Sequence, residues 1–478
     1  MTGNDRGFLN YQQIRKAHWN EIARKMDSWS GWSQGYHKRL KEIYRFWVPP
    51  DQRILEVGCG RGDLLTALAP SRGVGIDFSP EMIFRATRLH PRFEWHETDV
   101  HNLQDIQGPF DVIILSDLID DLWDVQKVFE QLGRLCHPRT RLILNTYSRV
   151  WELPLFIAEK IGVAKPRLTQ NWLTVEDISG ILSLAGFEVI RSWQDILWPF
   201  NTPGLSSLCN KFLVRLWPFR FLAMTNFIVA RPLPHGVKDR PLVSVIVPAR
   251  NESGNIGRIF DEAPQLGAGT ELVFVEGHSH DDTYATIERE MAARPSFNVQ
   301  LHRQTGEGKG DAVRLGFSRA KGDVLMILDA DLTVSPQDLP RFYEALISGQ
   351  GEFINGVRLV YPMEQQAMRF FNFLGNKFFS LAFSWLLGQP VKDTLCGTKV
   401  MYKQDYELIA ANRTYFGNFD PFGDYDLIFG AAKLGMKIVD LPIRYRARTY
   451  GETNIHRFRH GWLLLRMVVF AARRIKFT

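Results

Sequence analysis

The feature that most constrains the fold is an arrangement that occurs twice. A short aliphatic run, Ile54–Val57, stops in Gly58-Cys59-Gly60-Arg61-Gly62 and leads into the helical pattern Asp63–Ala69. Far downstream, Leu242–Val247 stops in Pro248-Ala249-Arg250-Asn251-Glu252, and strand–helix alternation starts again. Alternating buried strands and helices imply crossover connections, and so a parallel α/β sheet. Further strands are expected at Gly73–Ile76, Val112–Leu115, Arg141–Asn145 and Phe187–Ile190 in the first half, and at Glu271–Val275 and Val324–Leu328 in the second. Leu233–Pro241 holds two prolines, a glycine and charges with no apolar period, which reads as a linker. The expected fold class is α/β in two domains, residues 1–232 and 242–478, joined by residues 233–241; a length of 478 residues suits two or three domains.

Composition excludes several classes. At 45% hydrophobic and 23% charged residues the chain is neither disordered, collagenous nor a coiled coil. Its net charge of +6 is spread over both halves, so neither is a basic nucleic-acid-binding domain and no nucleic-acid partner is expected. Cys59, Cys136, Cys209 and Cys396 are never closer than the 73 positions between Cys136 and Cys209. That spacing offers neither a CxxC zinc pattern nor a disulfide framework, and it favours a reducing, cytoplasmic setting. The first twenty residues have no apolar signal core. The longest apolar stretches are interrupted, Phe370–Leu387 by Asn372, Asn376 and Lys377, and Trp462–Ala472 by Arg466, so no transmembrane helix is expected.

The glycines after Ile54–Val57 suit a tight turn and close backbone approach to a ligand. Asp77 follows Gly58 by 19 residues at the end of the next strand, where a carboxylate binds ribose hydroxyls. Asp99, after a third strand, is placed to contact an adenine amino group, and Phe110–Leu115 supplies another strand. This ordered set resembles the class I S-adenosylmethionine-dependent methyltransferases over about residues 40–200. The resemblance implies a Rossmann-like fold, a cofactor loop of Glu56, Gly58, Gly60 and Gly62, ribose binding by Asp77 and adenine binding by Asp99. Ser116-Asp117-Leu118 falls where that family lines its methyl-transfer site. Methyl transfer depends mainly on in-line positioning. The Asn/Asp-Pro-Pro-Tyr motif of amino-group methyltransferases is absent, which leaves the acceptor unread. Asp117, Asp120 and Asp121 could include a base, although a solvated helix start explains the last two more simply.

In the second half, Val273-Phe-Val-Glu276-Gly-His278-Ser279-His280-Asp281-Asp282 repeats the polar strand end. Gly306-Glu-Gly308-Lys309-Gly310 with Arg314 places glycines and cations at a loop–helix junction, which suits a diphosphate. Val324–Leu328 runs into Asp329-Ala330-Asp331, two carboxylates able to hold Mg²⁺ or Mn²⁺ bridging a nucleotide diphosphate. These motifs, in this order, resemble the GT-A glycosyltransferases of family 2, nearest the dolichol-phosphate mannose synthase and polyprenyl-phosphate branch, over about residues 242–450. The resemblance implies a GT-A fold and a nucleotide-diphospho-sugar donor such as GDP-mannose. Pro248, Arg250 and Glu252 would flank base and ribose, and Glu276 would replace the usual first Asp of the base loop. Asp329 and Asp331 would hold metal, Arg358 and Lys399 would lie near the phosphates, and Asp424 or Asp426 would orient or deprotonate the acceptor. Two positions depart from the family: the base loop reads Glu276-Gly-His-Ser rather than Asp-Asp-Gly-Ser, and Thr333 stands where the mannose synthases can offer a third metal ligand. His278 and His280 beside Asp281 and Asp282 read as a hydrogen-bonded loop rather than a metal cluster. A nucleotidyltransferase is disfavoured because its glycine-rich loop ending in Thr-Arg is missing.

Arg444–Thr478 carries many Arg and Lys around Trp462–Ala472, which suits either a helix on an anionic membrane surface or a core helix with a basic solvent face. The combined expectation is a bifunctional transferase, peripheral on the inner face of the membrane. It would move methyl groups from S-adenosylmethionine and, with inversion, a sugar to a polyprenyl-phosphate or glycan acceptor. The rival expectation is a single active glycosyltransferase beside a non-catalytic methyltransferase-fold module.

Overall fold

The computed structural model of the chain describes residues 3–25, 34–161, 167–234, 240–358, 370–415, 425–446, 448, 450 and 457–478. Two compact units are present, one of Met1–Leu233 with Phe477–Thr478 and one of Pro234–Lys476.

The first unit contains β1 (Arg53–Val57), β2 (Arg72–Asp77), β3 (Glu94–Glu97), β4 (Phe110–Ser116), β5 (Cys136–Tyr147), β6 (Phe187–Asp195) and β7 (Thr225–Pro232). They form one sheet in the order β3-β2-β1-β4-β5-β7-β6, parallel except for β7, which is antiparallel to β5 and β6. Two apolar clusters cover the faces. One includes Leu55, Ile113, Phe129 and Phe187, the other Ile54, Tyr44, Ile114 and Phe227. Neighbours such as Leu55 and Ile54 point to opposite faces, as the twofold repeat of a strand demands, so both faces are buried and these strands read as continuous apolar runs. The strand order reverses between β1 and β4, and their carboxyl ends align with Val57 opposite Leu115. A crevice opens at such a reversal because the connections leave β1 and β4 toward opposite sides.

The second unit contains β8 (Val243–Ala249), β9 (Thr270–Glu276), β10 (Asn298–Arg303), β11 (Val324–Ile327), β12 (Phe353–Val357), β13 (Lys399–Tyr402) and β14 (Ile438–Pro442). The order is β10-β9-β8-β11-β13-β12-β14, and β13 runs antiparallel between β11 and β12. The reversal falls between β8 and β11, where Ile246 lies opposite Ile327. Val245, Val247, Phe274, Met326, Phe342 and Val400 belong to its core. Both units are thus α/β, as expected, with mixed rather than wholly parallel sheets. No described helix is long and apolar enough to cross a membrane.

Candidate functional sites

In the first unit the turn after β1 is built as its glycines require. Gly58, Gly60 and Gly62 have φ of 70°, 52° and 79°, a region that side chains with a Cβ rarely adopt. A Cβ on Gly58 would lie 3.0 Å from the Leu118 side chain, and one on Gly62 would enter the Trp95 indole. The Gly58 and Cys59 amides donate to the Ile76 carbonyl at 2.8 and 3.0 Å, which ties the turn to β2.

Two buried acids hold this turn from below. Glu56 accepts from the Leu65 amide at 2.9 Å and so satisfies one of the unpaired amides that begin the helix Asp63–Ala67. Burial pushes its pKa up to about 8, against the pull of that amide. Asp77 accepts from the Gly60 amide at 3.0 Å and the Ser79 amide at 2.9 Å. Burial raises its pKa to about 6 although both amides favour the anion. Each oxygen keeps acceptor capacity after one bond, so the carboxylate can still take ribose hydroxyls. Asp99 is more committed: one oxygen accepts from the His101 amide at 2.8 Å and the His101 ring at 2.6 Å, and the other from Gln12. Burial works against its charge, but the His101 bonds prevail and hold the pKa below the usual value. The oxygen that faces Gln12 carries that one bond and keeps acceptor capacity of its own.

That glutamine belongs to the helix Gly3–Lys25, whose position was not legible in the sequence. Asn20 accepts from the Ser79 hydroxyl at 2.6 Å, Lys16 pairs with Glu97 at 2.6 Å, and Arg15 donates to the Asp121 carbonyl at 3.1 Å. The helix therefore lies across the carboxyl ends of β2, β3 and β4, on the crevice itself.

Ser116 ends β4 opposite Asn145 of β5, and Asp117 follows with φ 54°. One Asp117 oxygen accepts from the Tyr36 hydroxyl at 2.6 Å and from Asn145 at 2.5 Å, while Asn145 accepts from the Tyr44 hydroxyl at 2.7 Å. Burial raises the Asp117 pKa to about 7, which places the group where it can exchange a proton near neutrality. The simple reading of Asp120 as a solvated helix start is corrected: it is 1% exposed and accepts from the Thr146 hydroxyl at 2.6 Å. Asp121 lies 3.7 Å from the Arg15 guanidinium.

In the second unit the end of β8 turns through Asn251, at φ 56°. Its side-chain oxygen Oδ1 accepts from the His280 backbone amide at 2.8 Å, and its backbone amide donates to the Ser279 hydroxyl at 3.0 Å. Glu276 is buried and accepts from the Ser279 amide at 2.5 Å, so it shapes the loop that carries His278. The His278 ring lies 3.2 Å from the Gly306 carbonyl, in keeping with the hydrogen-bonded loop expected there. Pro248 is the penultimate residue of β8, half-buried, and Arg250 is exposed just beyond the strand. Glu252 is buried, accepts from Asn255 at 2.7 Å and lies 3.5 Å from Arg448.

The carboxylate pair after β11 meets cations. Asp329 lies 2.7 Å from the Lys309 ammonium, and Asp331 accepts from Arg448 at 2.7 Å and from the Thr333 hydroxyl at 2.8 Å. Burial works against the Asp329 charge, but the Lys309 ammonium, together with the charges of Lys399 and Arg358, holds its carboxyl below the usual pKa. A Cβ on Gly397 would overlap both the Asp329 carboxylate and the Lys309 ammonium, so this pair keeps its place only beside a glycine or by shifting. Thus Glu252, Lys309, Asp329, Asp331 and Arg448 converge from four separate parts of the chain. Arg448, which sequence reasoning named only within the basic tail, is the link between the two acids Glu252 and Asp331. Among the described residues no group of three or more His, Cys, Asp or Glu is gathered as a metal cluster.

Other expected site residues are held back from this centre. Arg358 makes a two-pronged pair with Asp393 at 2.7 and 3.0 Å. Lys399 is fully buried and donates to the Cys396 carbonyl. Asp424 lies outside the described residues. Asp426 lies in the helix Tyr425–Lys433. Its carboxylate is 3.3 Å from Arg413 and 3.8 Å from Arg314 of the helix Lys309–Arg319.

Comparison with known proteins agrees with the two sheets. Residues 32–192 match the methyltransferase domain family, and residues 244–407 match glycosyl transferase family 2. The undecaprenyl-phosphate 4-deoxy-4-formamido-L-arabinose transferase of Aeromonas hydrophila is 33% identical over 115 residues, 23% of this chain and 35% of that protein. The dolichol-phosphate mannosyltransferase of Pyrococcus furiosus is 28% identical over 250 residues, 49% of this chain and 67% of that protein. The undecaprenyl-phosphate mannosyltransferase of Micrococcus luteus is 28% identical over 229 residues, 45% of this chain and 87% of that protein. The match thus spans only about a third of the Aeromonas relative. The chain joins a methyltransferase domain to a glycosyl transferase family 2 domain.

Proposed function

We propose that both domains are active: the first transfers methyl groups from S-adenosylmethionine, and the second transfers a sugar from a nucleotide-diphospho-sugar to a polyprenyl-phosphate or glycan acceptor. The observation that carries this reading is that each sheet ends, at its strand-order reversal, in an intact polar loop whose acids are individually held. The relatives named for dolichol-phosphate and undecaprenyl-phosphate support the acceptor class, and two of them, named mannosyltransferases, support mannose as the sugar, with GDP-mannose the first donor to try.

On the methyl side, Gly58, Gly60 and Gly62 let the backbone approach the cofactor, Asp77 takes its ribose, and Asp99 meets the adenine edge. Asp117, steadied by Tyr36 and Asn145, faces the acceptor and receives its proton when the acceptor carries one. On the sugar side, Pro248, Arg250, Glu252 and Glu276 surround base and ribose, and Lys309 and Arg314 meet the diphosphate. Arg358 and Lys399 form the wall behind them. Asp329 and Asp331 offer the hard carboxylate oxygens that suit Mg²⁺ or Mn²⁺, with diphosphate and water completing the shell. That ion supplies positive charge to the diphosphate leaving group. Asp424 orients or deprotonates the acceptor, while Arg314 and Arg413 hold Asp426.

Attachment to the membrane is placed on the helices Phe370–Leu387 and Arg457–Ala471, which pack together. Leu464, Met467 and Ala471 are buried, whereas Trp462, Leu465 and Val469 on the second helix and Phe378, Leu381 and Trp385 on the first are exposed. Arg473, Arg474 and Lys476 follow in the next turn. An exposed apolar stripe next to a basic end suits a peripheral position on an anionic, cytoplasmic leaflet. The test is a screen of nucleotide-sugars for hydrolysis with Mg²⁺ or Mn²⁺, run beside calorimetric titration with S-adenosylmethionine. Binding of the cofactor without methylation of any lipid-linked glycan would favour the non-catalytic module instead.

A further inference from the structure

The first unit carries an apolar face that neither crevice uses. The helix Glu152–Lys160 buries none of its residues. Its inner side, with Trp151 and Leu155, packs on the core, while Leu153, Phe156 and Ile157 stand outward at 66%, 52% and 51% exposure. Their spacing of three and four is the stripe a helix ordinarily turns toward a core. Here it is turned toward solvent.

A second segment with exposed apolar side chains is joined to this helix. Trp151 donates its indole N–H to the Leu222 carbonyl at 2.8 Å, joining the helix to residues 205–222. That segment is a chain of short helical turns with Leu208, Trp217 and Phe221 exposed, Trp217 at 74%. Its shape is held by a buried polar clamp. Asn210 accepts from the Leu197 and Trp198 amides at 2.9 and 2.8 Å and donates to the Trp198 carbonyl at 2.7 Å. Asp195 receives Arg215 and Arg39. The clamp shows that the outward apolar side chains sit on a built surface.

The charge around the face is mainly positive, with Glu152 in the first turn of the helix its one exposed acid. No Asp or Glu occurs between Asp195 and Asp239. Lys160 lies over the Phe156 ring at 5.4 Å and Arg220 over the Phe221 ring at 5.0 Å, so each half of the face pairs an exposed aromatic with a cation. Arg149 is exposed at the head of the helix, and Glu159 within it is taken by Arg167. Apolar side chains bordered by aromatics and cations match the boundary between acyl chains and anionic headgroups.

We propose that this face of the methyltransferase unit is a second membrane-docking surface, seated on an anionic bilayer and separate from the helical pair of the glycosyltransferase unit. The face adjoins β5, because Ser148, directly after that strand, donates to the Met224 carbonyl at 2.8 Å just beyond the apolar segment. The strand that carries Asn145, the partner of Asp117, thus leads directly into this face. The docking itself does not depend on methyl transfer.

The experiment uses the full chain with one environment-sensitive fluorophore on an introduced cysteine, in a Cys136→Ser background because the other three cysteines are buried. Labels at Phe156→Cys and Trp217→Cys should brighten and shift to the blue with vesicles containing phosphatidylglycerol. A label at Leu184→Cys, exposed on another helix, should not. The response should persist when Leu381→Ser and Trp462→Ser weaken the other unit's face. Lys160→Glu with Arg220→Glu should raise the lipid needed for half the response about tenfold or more. Labels at 156 and 217 that stay unchanged while the chain sediments with vesicles would overturn the proposal. A response that needs no vesicles and follows protein concentration would place a second copy on this face and would overturn it equally.

Discussion

Asp77 is the sharpest place to test the methyl-donor crevice. Its carboxylate already accepts the Gly60 and Ser79 amides, and burial raises its pKa to about 6. The anion is the better acceptor for ribose hydroxyls, and hydrogen bonds to a charged group contribute about 1.5–3 kcal/mol, or roughly 10- to 150-fold in affinity. Asp77→Ala should therefore weaken S-adenosylmethionine by about that factor, with further loss because two loop amides lose their acceptor. The pH dependence follows from the sign of the shift. Above about pH 6 the free enzyme carries the anion, and below it the proton must leave before the best complex forms. Wild-type affinity should thus fall about tenfold from pH 7 to pH 5, one unit below the midpoint. Asp77→Asn, which cannot ionise, should bind weakly and lose that dependence. Isothermal titration across this range reads both effects. Equal affinities for wild type and Asp77→Ala, or the same pH dependence in Asp77→Asn, would refute the ribose assignment.

Three other outcomes follow from the same geometry. Glu56 has a folded pKa raised to about 8, so it stabilises the folded chain below its unfolded value of 4.5 and this contribution is lost as pH rises through about 8. Glu56→Gln should remove about 1–3 kcal/mol of the fall in stability between pH 6 and 8, measured by urea unfolding at each pH; parallel curves for the two proteins would contradict it. Nucleotide-sugar hydrolysis should stop in EDTA, return with Mg²⁺ or Mn²⁺, and fall at least about a hundredfold in Asp331→Asn; full turnover in EDTA would remove the metal from the proposal. In single-turnover kinetics, Asp424→Asn should slow sugar transfer by about 10²–10⁴ if it acts as the base, and less if an ionised phosphate needs only positioning, while donor affinity stays the same; an unchanged rate or a lost donor site would refute the role.

What the sequence determined by itself is local. Glycines after a strand permit a turn at positive φ, and an acid at the end of a buried strand is carried to the crevice by the strand itself. That is why Gly58, Gly60, Gly62, Asp77, Asp329 and Asp331 were legible, and with them the two α/β domains. The tertiary structure alone decided the partners, because they come from distant parts of the chain. Gln12 reaches Asp99 across 87 positions, and Arg448 reaches Asp331 across 117. Arg358 turns to Asp393, and Asp120 is buried under Thr146, only because β12 and β5 place those neighbours there. The antiparallel entry of β13 between β11 and β12 is likewise a choice of pairing that no strand's own pattern records. The outward stripe of Leu153, Phe156 and Ile157 shows the same limit most plainly. Helical periodicity says that one face is apolar, but only the packing of Trp151 and Leu155 on the core decides which way that face points.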